Sequence, residues 1–563
     1  MRYLVIPIFL ILLLNQSIAQ SIDWSGNTSP DYFTLINYYK QLAIKDKRIE
    51  LYCMGNSDCG VPIFLCVLNG AGDSSATFEK ARSGTTILIN NAIHPGEPDG
   101  VNACAIWIEK QLKLKSNPNS PVVAIIPAYN VGGMLNRNGV SRVNQDGPEE
   151  YGFRGSGRNF DLNRDFIKMD TENSFTFSTI FHALQADVFV DTHVSNGADY
   201  QYTLTYISSL KQRLAPSIAS LTYDELLPIM HKKLKMVPYV ELKGDTPESG
   251  IVAFNDLPRY AMGYASLFHA ISFTVETHML KPFPERVKVT EQFIDVLYQW
   301  TNQHMDAIEN ARKKAGEWAV EQEYLKFNYS LIAITDSIEF LGYEATRPIH
   351  PTTEVNRLYY DRSKPYKKYI PYFNHYHASD SISIPHFYSV SGKEKAIIER
   401  LKANGVLFQV VDSSYKTKCK VAIVRDFSSL SKPWEGHFKH SNTKVEFIDE
   451  EVIIEKGDIR IDARQSNSQF IHAVLQPQME DSYFSWNFFD SYLQQKEYFS
   501  AYIFVDKIDE ILTNNPALKS AFENRKLEDL DFRNSEAMQL HYLYQNSPYF
   551  EQSYMRLPVY FID

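Results

Sequence analysis

The amino-acid sequence predicts an α/β protein with a mixed, mostly parallel central sheet, helices on both faces of that sheet, and a C-terminal α+β region. Continuously apolar segments of strand length, typical of strands covered on both faces, occupy residues 85–93, 121–130, 186–194 and 270–279. Apolar residues at helical spacing lie between and after them, at residues 101–115, 173–185 and 285–320. Strands that alternate with helices in this way are typical of the α/β class.

The pattern changes after about residue 330. Residues 394–411 predict a helix that ends at Gly405 and is followed by a strand, and short β-rich segments continue beyond it. The chain has 563 residues, more than the roughly 100 to 200 of an ordinary domain. We therefore predict an α/β domain over residues 20–325 and an accessory α+β region over residues 326–563, made of one or two subdomains.

The N-terminus has the features of a signal peptide. Arg2 precedes an apolar run from Leu4 to Leu14, and Ser17-Ile18-Ala19 suits a signal peptidase. The run is too short to span a bilayer, so we expect no stable membrane span after its removal. Residues 1–19 thus predict export to the periplasm or outside the cell; the alternative is a retained anchor.

Charge and cysteine content limit the partners and the chemistry. The formal net charge is −10, and no run of Lys or Arg forms an electrostatic stripe, so we expect no nucleic-acid partner. The five cysteines lack zinc-finger spacing. A Cys53–Cys59 disulfide is plausible in an oxidising compartment, although the sequence does not fix the pairing. Cys66 and Cys104 lie in apolar segments and are expected to be buried.

Polar side chains follow each of the four predicted strands, at the point where the strand ends. In chain order they are His94 and Glu97, then Asn130, then Asp191 and His193, then Glu276 and His278. In open α/β sheets, ligands gather beyond the carboxyl ends of the strands. We expect these groups to meet at one edge of the sheet.

His94 and Glu97 flank a Pro95-Gly96 bend that turns both side chains the same way. A catalytic zinc site takes three ligands from His and Asp or Glu and keeps a further position open. The pair fits two of these ligands, and His193 fits the third. By itself the HxxE pattern equally fits a His and a Glu that are hydrogen-bonded to backbone.

Two further segments supply groups for substrate and for proton transfer. Residues 153–166 hold three arginines, and Arg164 beside Asn163 would make a receptor for a carboxylate. The alternative is surface arginines that pair with Asp161 and Asp165. Glu276 ends a buried strand, where a carboxylate is costly unless it is paired, protonated or close to a metal. It would act as a general base, or form a structural ion pair.

Taken in order, the HxxE motif, the Asn-Arg pair, the His after a strand and the later Glu resemble the zinc carboxypeptidase family, the metallopeptidases related to carboxypeptidase A. The resemblance covers about residues 30–300. It implies one Zn²⁺ per catalytic domain, held by His94, Glu97 and His193. It also implies that Arg164 and Asn163 bind the terminal carboxylate of the substrate, and that Glu276 is the general base.

Other parts of the family pattern are matched less closely. Arg154 resembles the arginine that polarises the scissile carbonyl, with Arg142 and Arg158 as rivals. The tyrosine that closes over the substrate would be Tyr264 or Tyr260, unless both belong to the core. The short spacing from the second to the third ligand indicates a reduced-loop branch, so the specificity pocket of the family cannot be carried over.

Several polar and aromatic groups keep two interpretations. Asp191 orients the His193 ring or forms a core ion pair, and His278 touches substrate or caps its strand. His375 and His377 form a second metal site or, as we expect, are exposed strand residues. The aromatic stretch at 483–504 stacks on sugars or, as we expect, packs in the core.

The resemblance implies an exported zinc metallocarboxypeptidase that acts on peptides with a free C-terminal carboxylate. An amidohydrolase that cleaves an N-acyl amino acid or a cell-wall peptide is the nearest alternative, because those substrates also end in a carboxylate. A binding module that keeps the site only as a carboxylate receptor is an alternative of another class. The sequence does not predict the oligomeric state.

Overall fold

The computed structural model describes residues 22–24 and 26–563. The predicted signal peptide, residues 1–19, lies outside the described residues. Within the described part, no helix combines the length and the apolar character that crossing a membrane would require.

An eight-stranded mixed sheet lies at the centre of the first half of the chain. The strands up to residue 278 are β1 (Ile49–Asn56), β2 (Pro62–Leu68), β3 (Thr86–Asn90), β4 (Val122–Ile126), β5 (Val188–Ser195), β6 (Leu204–Ser208), β7 (Met236–Pro238), β8 (Glu241–Leu242), β9 (Ile251–Val252) and β10 (Ile271–His278). The sheet order is β1-β2-β4-β3-β5-β10-β6-β7. The four strands expected from the apolar segments, β3, β4, β5 and β10, are adjacent and mutually parallel.

Helices cover both faces of this sheet. They are α1 (Tyr32–Lys45), α2 (Ser74–Ser83), α3 (Asp99–Lys113), α4 (Val131–Leu135), α5 (Glu172–Leu184), α6 (Pro216–Ser220), α7 (Leu227–Lys233), α8 (Ala261–Ser266), α9 (Phe283–Gln303) and α10 (Met305–Glu321). Helices α3 and α9 pack together on one face, where Phe293 contacts Phe273 of β10. On the other face, Phe177 of α5 contacts Phe189 of β5. The predicted fold class is confirmed.

One predicted helix is two helices. The sequence predicted a single helix over residues 285–320, but α9 ends at Gln303 and α10 begins at Met305. His304 lies between them with a non-helical backbone, and its ring stacks on Trp300 at 4.6 Å between centroids. The ring contact accompanies the break, and helical spacing of apolar residues does not reveal it.

The remainder of the chain is α+β. Its strands are β11 (Tyr324–Leu331), β12 (Asp336–Thr346), β13 (Tyr359–Phe373), β14 (Tyr376–Ser383), β15 (Phe387–Val390), β16 (Phe408–Val410), β17 (Tyr415–Ser429), β18 (His440–Ile454), β19 (Ile459–Asp462) and β20 (Arg556–Ile562). Its helices are α11 (Lys395–Ala403), α12 (Ser468–Leu475), α13 (Ala501–Phe504), α14 (Ile508–Asn514), α15 (Pro516–Glu528), α16 (Leu530–Arg533) and α17 (Glu536–Gln545). Six strands form a sheet in the order β16-β19-β15-β20-β17-β18.

The two predicted regions share one hydrophobic core. The main cluster of buried side chains includes Phe268 of the first region and Phe470 of the second, whose rings stack at 5.4 Å. Strand β9 pairs with β13, so one four-stranded sheet also takes strands from both regions. Packing therefore continues across the boundary that we predict at residues 325 and 326.

All five cysteines are free thiols in the structure. Cys53 and Cys59 are exposed and not bonded to each other, whereas Cys66 and Cys104 are buried as expected.

Candidate metal and substrate site

Two parallel strands place His193 and Glu276 side by side. Strands β5 and β10 pair so that His193 lies opposite Glu276, and Asp191 lies opposite Thr274. Side chains two residues apart on a strand point to the same face, so these four side chains share one face of the sheet. The ladder therefore sets the positions of a candidate ligand and of the candidate base.

A tight bend after β3 delivers the other two candidate ligands. The Glu97 N–H donates to the carbonyl of His94 at 2.8 Å, which closes the turn across Pro95 and Gly96. A Cβ at residue 96 would lie 2.6 Å from the Arg142 side chain, so glycine lets that side chain approach. Helix α3 begins two residues after Glu97.

His94, Glu97 and His193 converge on one point. The two Nδ1 atoms lie 3.2 Å apart, and Glu97 Oε2 lies 3.4 Å from His94 Nδ1 and 3.0 Å from His193 Nδ1. Ligands of a tetrahedral zinc at bond lengths of about 2.0 to 2.2 Å are separated by about 3.3 to 3.5 Å. Within residues 22–24 and 26–563, no other group of three or more His, Cys, Asp or Glu side chains is arranged to hold a metal ion.

A carboxylate holds the far side of each imidazole. His94 Nε2 lies 2.9 Å from Asp161 Oδ1, and His193 Nε2 lies 2.8 Å from Asp191 Oδ2. Each Nε2 therefore carries a proton and donates it, so Nδ1 is the atom left to face the other candidate ligands. The two Nδ1 atoms and the oxygen of Glu97, about 3 Å from one another, repel unless a proton or a metal ion lies between them.

The electrostatics of the buried ligands also favour a cation. Burial opposes the charged form of His193, but Asp191, Glu97 and Glu276 outweigh it and raise its pKa well above the usual range. Burial likewise opposes ionisation of Glu97, yet Arg142 and the two histidines hold its pKa well below the usual range. A cation is therefore favoured between Glu97 and His193, a proton in the metal-free chain or a metal ion in its place, and the donor set of two imidazoles and one carboxylate fits zinc.

The candidate ligands line a cavity of about 200 Å³. It is also lined by the charged side chains of Arg154, Arg164 and Glu276 and by the amide of Asn163, the other groups predicted from the sequence. The rest of the lining is uncharged: Val194, Ser195, Asn196, Ile207, Tyr239, Phe254, Tyr260, Met262 and Thr274. The structure thus brings the predicted metal ligands, base and carboxylate receptor to one cavity.

The environment of Glu276 suits a group that exchanges protons. Burial, together with the charges of Glu97 and Asp191, raises its pKa to about 8, although His193 and Arg154 act in the opposite direction. A carboxyl group with a pKa near the working pH can both accept and release a proton.

Of the three arginines considered for the scissile carbonyl, only Arg154 lines the cavity. Its side chain pairs with Asp161 at 2.9 Å and lies 3.6 Å from Glu97. Arg142 instead donates to Glu97 Oε1 at 2.8 Å, and Arg158 donates to the carbonyl of residue 170 at 2.8 Å. Arg142 therefore supports the candidate ligand Glu97, and Arg158 supports the loop.

Arg164 and Asn163 lie on a short 3₁₀ turn, Leu162–Arg164. The Arg164 guanidinium stacks on the Tyr260 ring at 4.6 Å and donates to the Asn163 carbonyl at 2.9 Å. Asn163 Oδ1 accepts the N–H of Ala261 at 3.0 Å, which ties this turn to the start of α8. A planar, stacked guanidinium facing a cavity suits the binding of a carboxylate.

The structure corrects the substrate-binding prediction for Tyr264. Its side chain is 1% exposed and packs among Phe166, Phe181 and Phe268 in the core. Its hydroxyl is hydrogen-bonded to His182 at 3.1 Å. Tyr260, the alternative, lies four residues earlier, immediately before the first residue of α8, and it lines the cavity.

Sequence reasoning missed two residues of the site. Asp161 holds His94, although the sequence analysis treated it only as a partner for surface arginines. The available signal was its position two residues before Asn163, on the segment that carries the carboxylate receptor. Tyr239 lines the cavity close to the charges of Glu276, and no sequence signal marked it.

The remaining candidates have structural contacts. Asn130 caps α4 through Gly133 and donates to the carbonyl of Arg154 at 2.9 Å. His278 is buried and stacks on Tyr200 at 4.1 Å. His375 pairs with Asp336 at the surface. Of the aromatic stretch, Tyr483, Phe484, Trp486 and Phe489 are in the core, as expected, whereas Tyr498 and Tyr502 are exposed.

Comparisons with known proteins returned matches among solved structures. No family model matches the chain, and no curated protein matches it. A metallo-carboxypeptidase from Burkholderia cenocepacia is 14% identical, with 47% of this chain and 68% of that chain covered and a TM-score of 0.34. A metallo-carboxypeptidase from Pseudomonas aeruginosa is 12% identical, with 48% and 68% covered and a TM-score of 0.36. The carboxypeptidase A from Helicoverpa armigera is 14% identical, with 54% and 76% covered and a TM-score of 0.36.

Proposed function

We propose that the protein is a zinc-dependent metallocarboxypeptidase that hydrolyses the C-terminal amide bond of peptides. One observation carries the proposal: the Nδ1 atoms of His94 and His193 and the carboxylate of Glu97 converge in a cavity that also contains Glu276 and Arg164. A metal site, a base and a cationic receptor for a carboxylate are the three parts that this reaction needs.

His94, Glu97 and His193 would hold zinc, which when bound would supply Lewis acidity and lower the pKa of water. Glu276 takes a proton from the attacking water and passes it to the nitrogen of the leaving amine. Arg154 donates hydrogen bonds to the carbonyl oxygen where negative charge develops. Arg164 would bind the free carboxylate of the C-terminal residue, which lies on the leaving side of the scissile bond. The enzyme would therefore remove single residues from the chain end.

The terminal carboxylate of the substrate binds Arg164, with Asn163 beside it. Every charged residue of the cavity is then assigned to the metal, the base, the carbonyl or this carboxylate. The remaining lining is uncharged, and its apolar residues include Ile207, Phe254 and Met262. We therefore expect substrates with a neutral C-terminal side chain to be preferred over those that end in Lys or Asp. The signal peptide predicted at residues 1–19 supports an exported enzyme.

A substrate panel tests the proposal and separates it from its alternatives. We would compare a short peptide with a free C-terminus, the same peptide with a C-terminal amide, and an N-acyl amino acid, each with and without a chelator. We expect cleavage of the free peptide, loss of cleavage on amidation, and loss on chelation that added zinc restores. Preference for the N-acyl amino acid would favour the amidohydrolase.

A binding module would bind the free peptide without cleaving it. No cleavage of any substrate by the zinc-loaded protein would exclude the proposed enzyme.

A further inference from the structure

A loop from the accessory region contacts the segment that carries the arginines of the site. The loop comprises residues 430–439 and joins the long strands β17 and β18; we call it the hairpin tip. It lies against residues 153–170. Gly436 approaches the ring of Phe160, and His437 Nε2 lies 2.7 Å from Asp170 Oδ2.

Glu435 of the hairpin tip reaches the support of a candidate metal ligand. Its Oε2 accepts the backbone N–H of Asp161 at 2.9 Å. Asp161 is the residue whose Oδ1 holds His94 Nε2 at 2.9 Å. A continuous series of hydrogen bonds therefore runs from the accessory region, through Asp161, to the imidazole of His94.

The backbone of the hairpin tip has an unfavourable conformation that its surrounding contacts maintain. Glu435 has φ 49° and Gly436 has φ 82°, so two consecutive residues are left-handed. This conformation costs a non-glycine residue roughly 1 kcal/mol or more and persists where surrounding contacts impose it. Those contacts include Trp434, which stacks on Trp486 at 5.5 Å and is joined to His437 by backbone hydrogen bonds.

Asp161 needs this support because it lies on a loop. Its Oδ1 also accepts the Asn163 N–H at 3.0 Å, and its Oδ2 pairs with Arg154. These bonds hold the carboxylate, whereas Glu435 holds the backbone from which the carboxylate extends. Without Glu435 that N–H would turn toward water, and the orientation of the side chain would change with it.

We propose that Glu435 is a positioning residue of the active site: by accepting the Asp161 N–H, it fixes the carboxylate that orients His94 toward the metal. The accessory region then forms part of the catalytic unit. The metal-related part of this inference rests on the proposed function, whereas the effect on the Asp161 backbone does not.

Three full-length variants test the inference. Glu435→Ala removes the acceptor, and Glu435→Gln removes the charge but keeps an acceptor oxygen. Glu446→Ala is the matched control, because Glu446 is an exposed glutamate on the same hairpin that pairs with Arg425. The first measurement is hydrogen–deuterium exchange of the Asp161 amide in the metal-free chain. The second is zinc affinity, by competition with a chromogenic chelator.

We expect Glu435→Ala to speed exchange at Asp161 and to weaken zinc binding by about 3- to 10-fold, less than the roughly 10- to 100-fold typical of direct partners of metal ligands. Glu435→Gln and Glu446→Ala should resemble the wild type in both measurements. Wild-type exchange and zinc affinity in Glu435→Ala would overturn the inference. So would equal effects of Ala and Gln, because charge rather than the hydrogen bond would then be responsible.

The two proposals fail separately. If the wild-type chain binds no zinc, the proposed function fails, and the exchange measurement still decides whether Glu435 positions Asp161.

Discussion

The site has two halves that are built differently. One half is carried by strands: Asp191, His193 and Glu276 lie on β5 and β10, where backbone hydrogen bonds of the ladder fix them. The other half is carried by a loop: Arg154, Asp161, Asn163 and Arg164 lie between residues 153 and 164. Its supports are side-chain contacts to distant parts of the chain, among them Glu435 and the start of α8.

Each half contains one carboxylate that holds the Nε2 of a candidate histidine ligand, so the two supports can be compared directly. Asp191 holds His193 from two residues away on the same strand, and its side chain is fully buried. Asp161 holds His94 from 67 residues away, and its side chain is 13% exposed. Strand geometry makes the first support local and rigid, whereas the second depends on the packing of separate segments.

The largest effect is expected in the strand-borne half. Glu276→Gln keeps the shape of the side chain but removes the base, so kcat should fall by about 10²- to 10⁴-fold, the usual contribution of general acid–base catalysis. Zinc content should stay at the wild-type level, because Glu276 is not among the three converging ligands. Steady-state kinetics and metal analysis measure both, and near wild-type kcat would exclude Glu276 as the base.

The pH profile provides a second check on Glu276. The base must be ionised, so kcat/KM should rise with pH through the pKa of this group. Burial raises that pKa to about 8 in the metal-free site, and the positive charge of a bound metal lowers it. We expect the midpoint of this rise in kcat/KM to lie between the ordinary pKa of a Glu side chain and a pH of about 8. The rise should be absent from the pH profile of the residual activity of Glu276→Gln.

The next effect compares the two carboxylates directly. Asp191→Asn and Asp161→Asn should each weaken zinc binding, by about 10- to 100-fold for such partners of metal ligands. We expect the larger loss for Asp191, because water can partly replace the more exposed Asp161. Zinc competition titrations of the two variants side by side measure this. A larger loss for Asp161 would reverse our comparison of the two halves.

A smaller effect is expected from the carboxylate receptor. Arg164→Lys keeps the charge but loses the bidentate geometry, so KM should rise by about 10-fold, the equivalent of about 1.4 kcal/mol of a charged hydrogen bond. The amidated peptide should show no comparable change in its residual cleavage. An equal loss with both substrates would mean that Arg164 does not bind the terminal carboxylate.

The smallest effects should separate the two tyrosines. Tyr260→Ala removes the ring under Arg164 and should raise KM a few-fold, as a cation–π contact of about 0.5 to 1 kcal/mol implies. Tyr264→Phe removes a buried hydroxyl that is hydrogen-bonded to His182 and should cost about 1 kcal/mol of stability without changing KM. Denaturant unfolding and steady-state kinetics on both variants measure these effects. A change of KM in Tyr264→Phe would contradict the assignment of Tyr264 to the core.

The sequence predicts the strand-borne half well for a physical reason. Strands β3, β5 and β10 are buried on both faces, so their sequences are continuously apolar up to the polar residues at their ends. Parallel pairing then brings those ends together, and His94, Glu97 and His193 could be placed at one site. The break between α9 and α10 leaves no comparable periodic signal.

The loop-borne half is harder to predict. The sequence indicated Asp161 only as a partner for arginines. Its contact with His94 depends on how the segment folds back over that histidine. Tyr260 and Tyr264 are four residues apart around the start of α8, and apolar spacing does not tell which one faces a cavity. Glu435 lies 274 residues beyond Asp161 in another region, so only tertiary packing shows the contact.

Because the metal ligands and the base lie on different strands, the pairing of β5 with β10 determines catalytic activity but not metal binding. All three converging ligand atoms come from the bend after β3 and from β5, while the base comes from β10. A slip of one residue between β5 and β10 would turn Glu276 to the opposite face and leave the three ligands where they are. A molecule with such a slip would bind metal but lack the base, so titration of active sites, and not metal content, counts the working molecules.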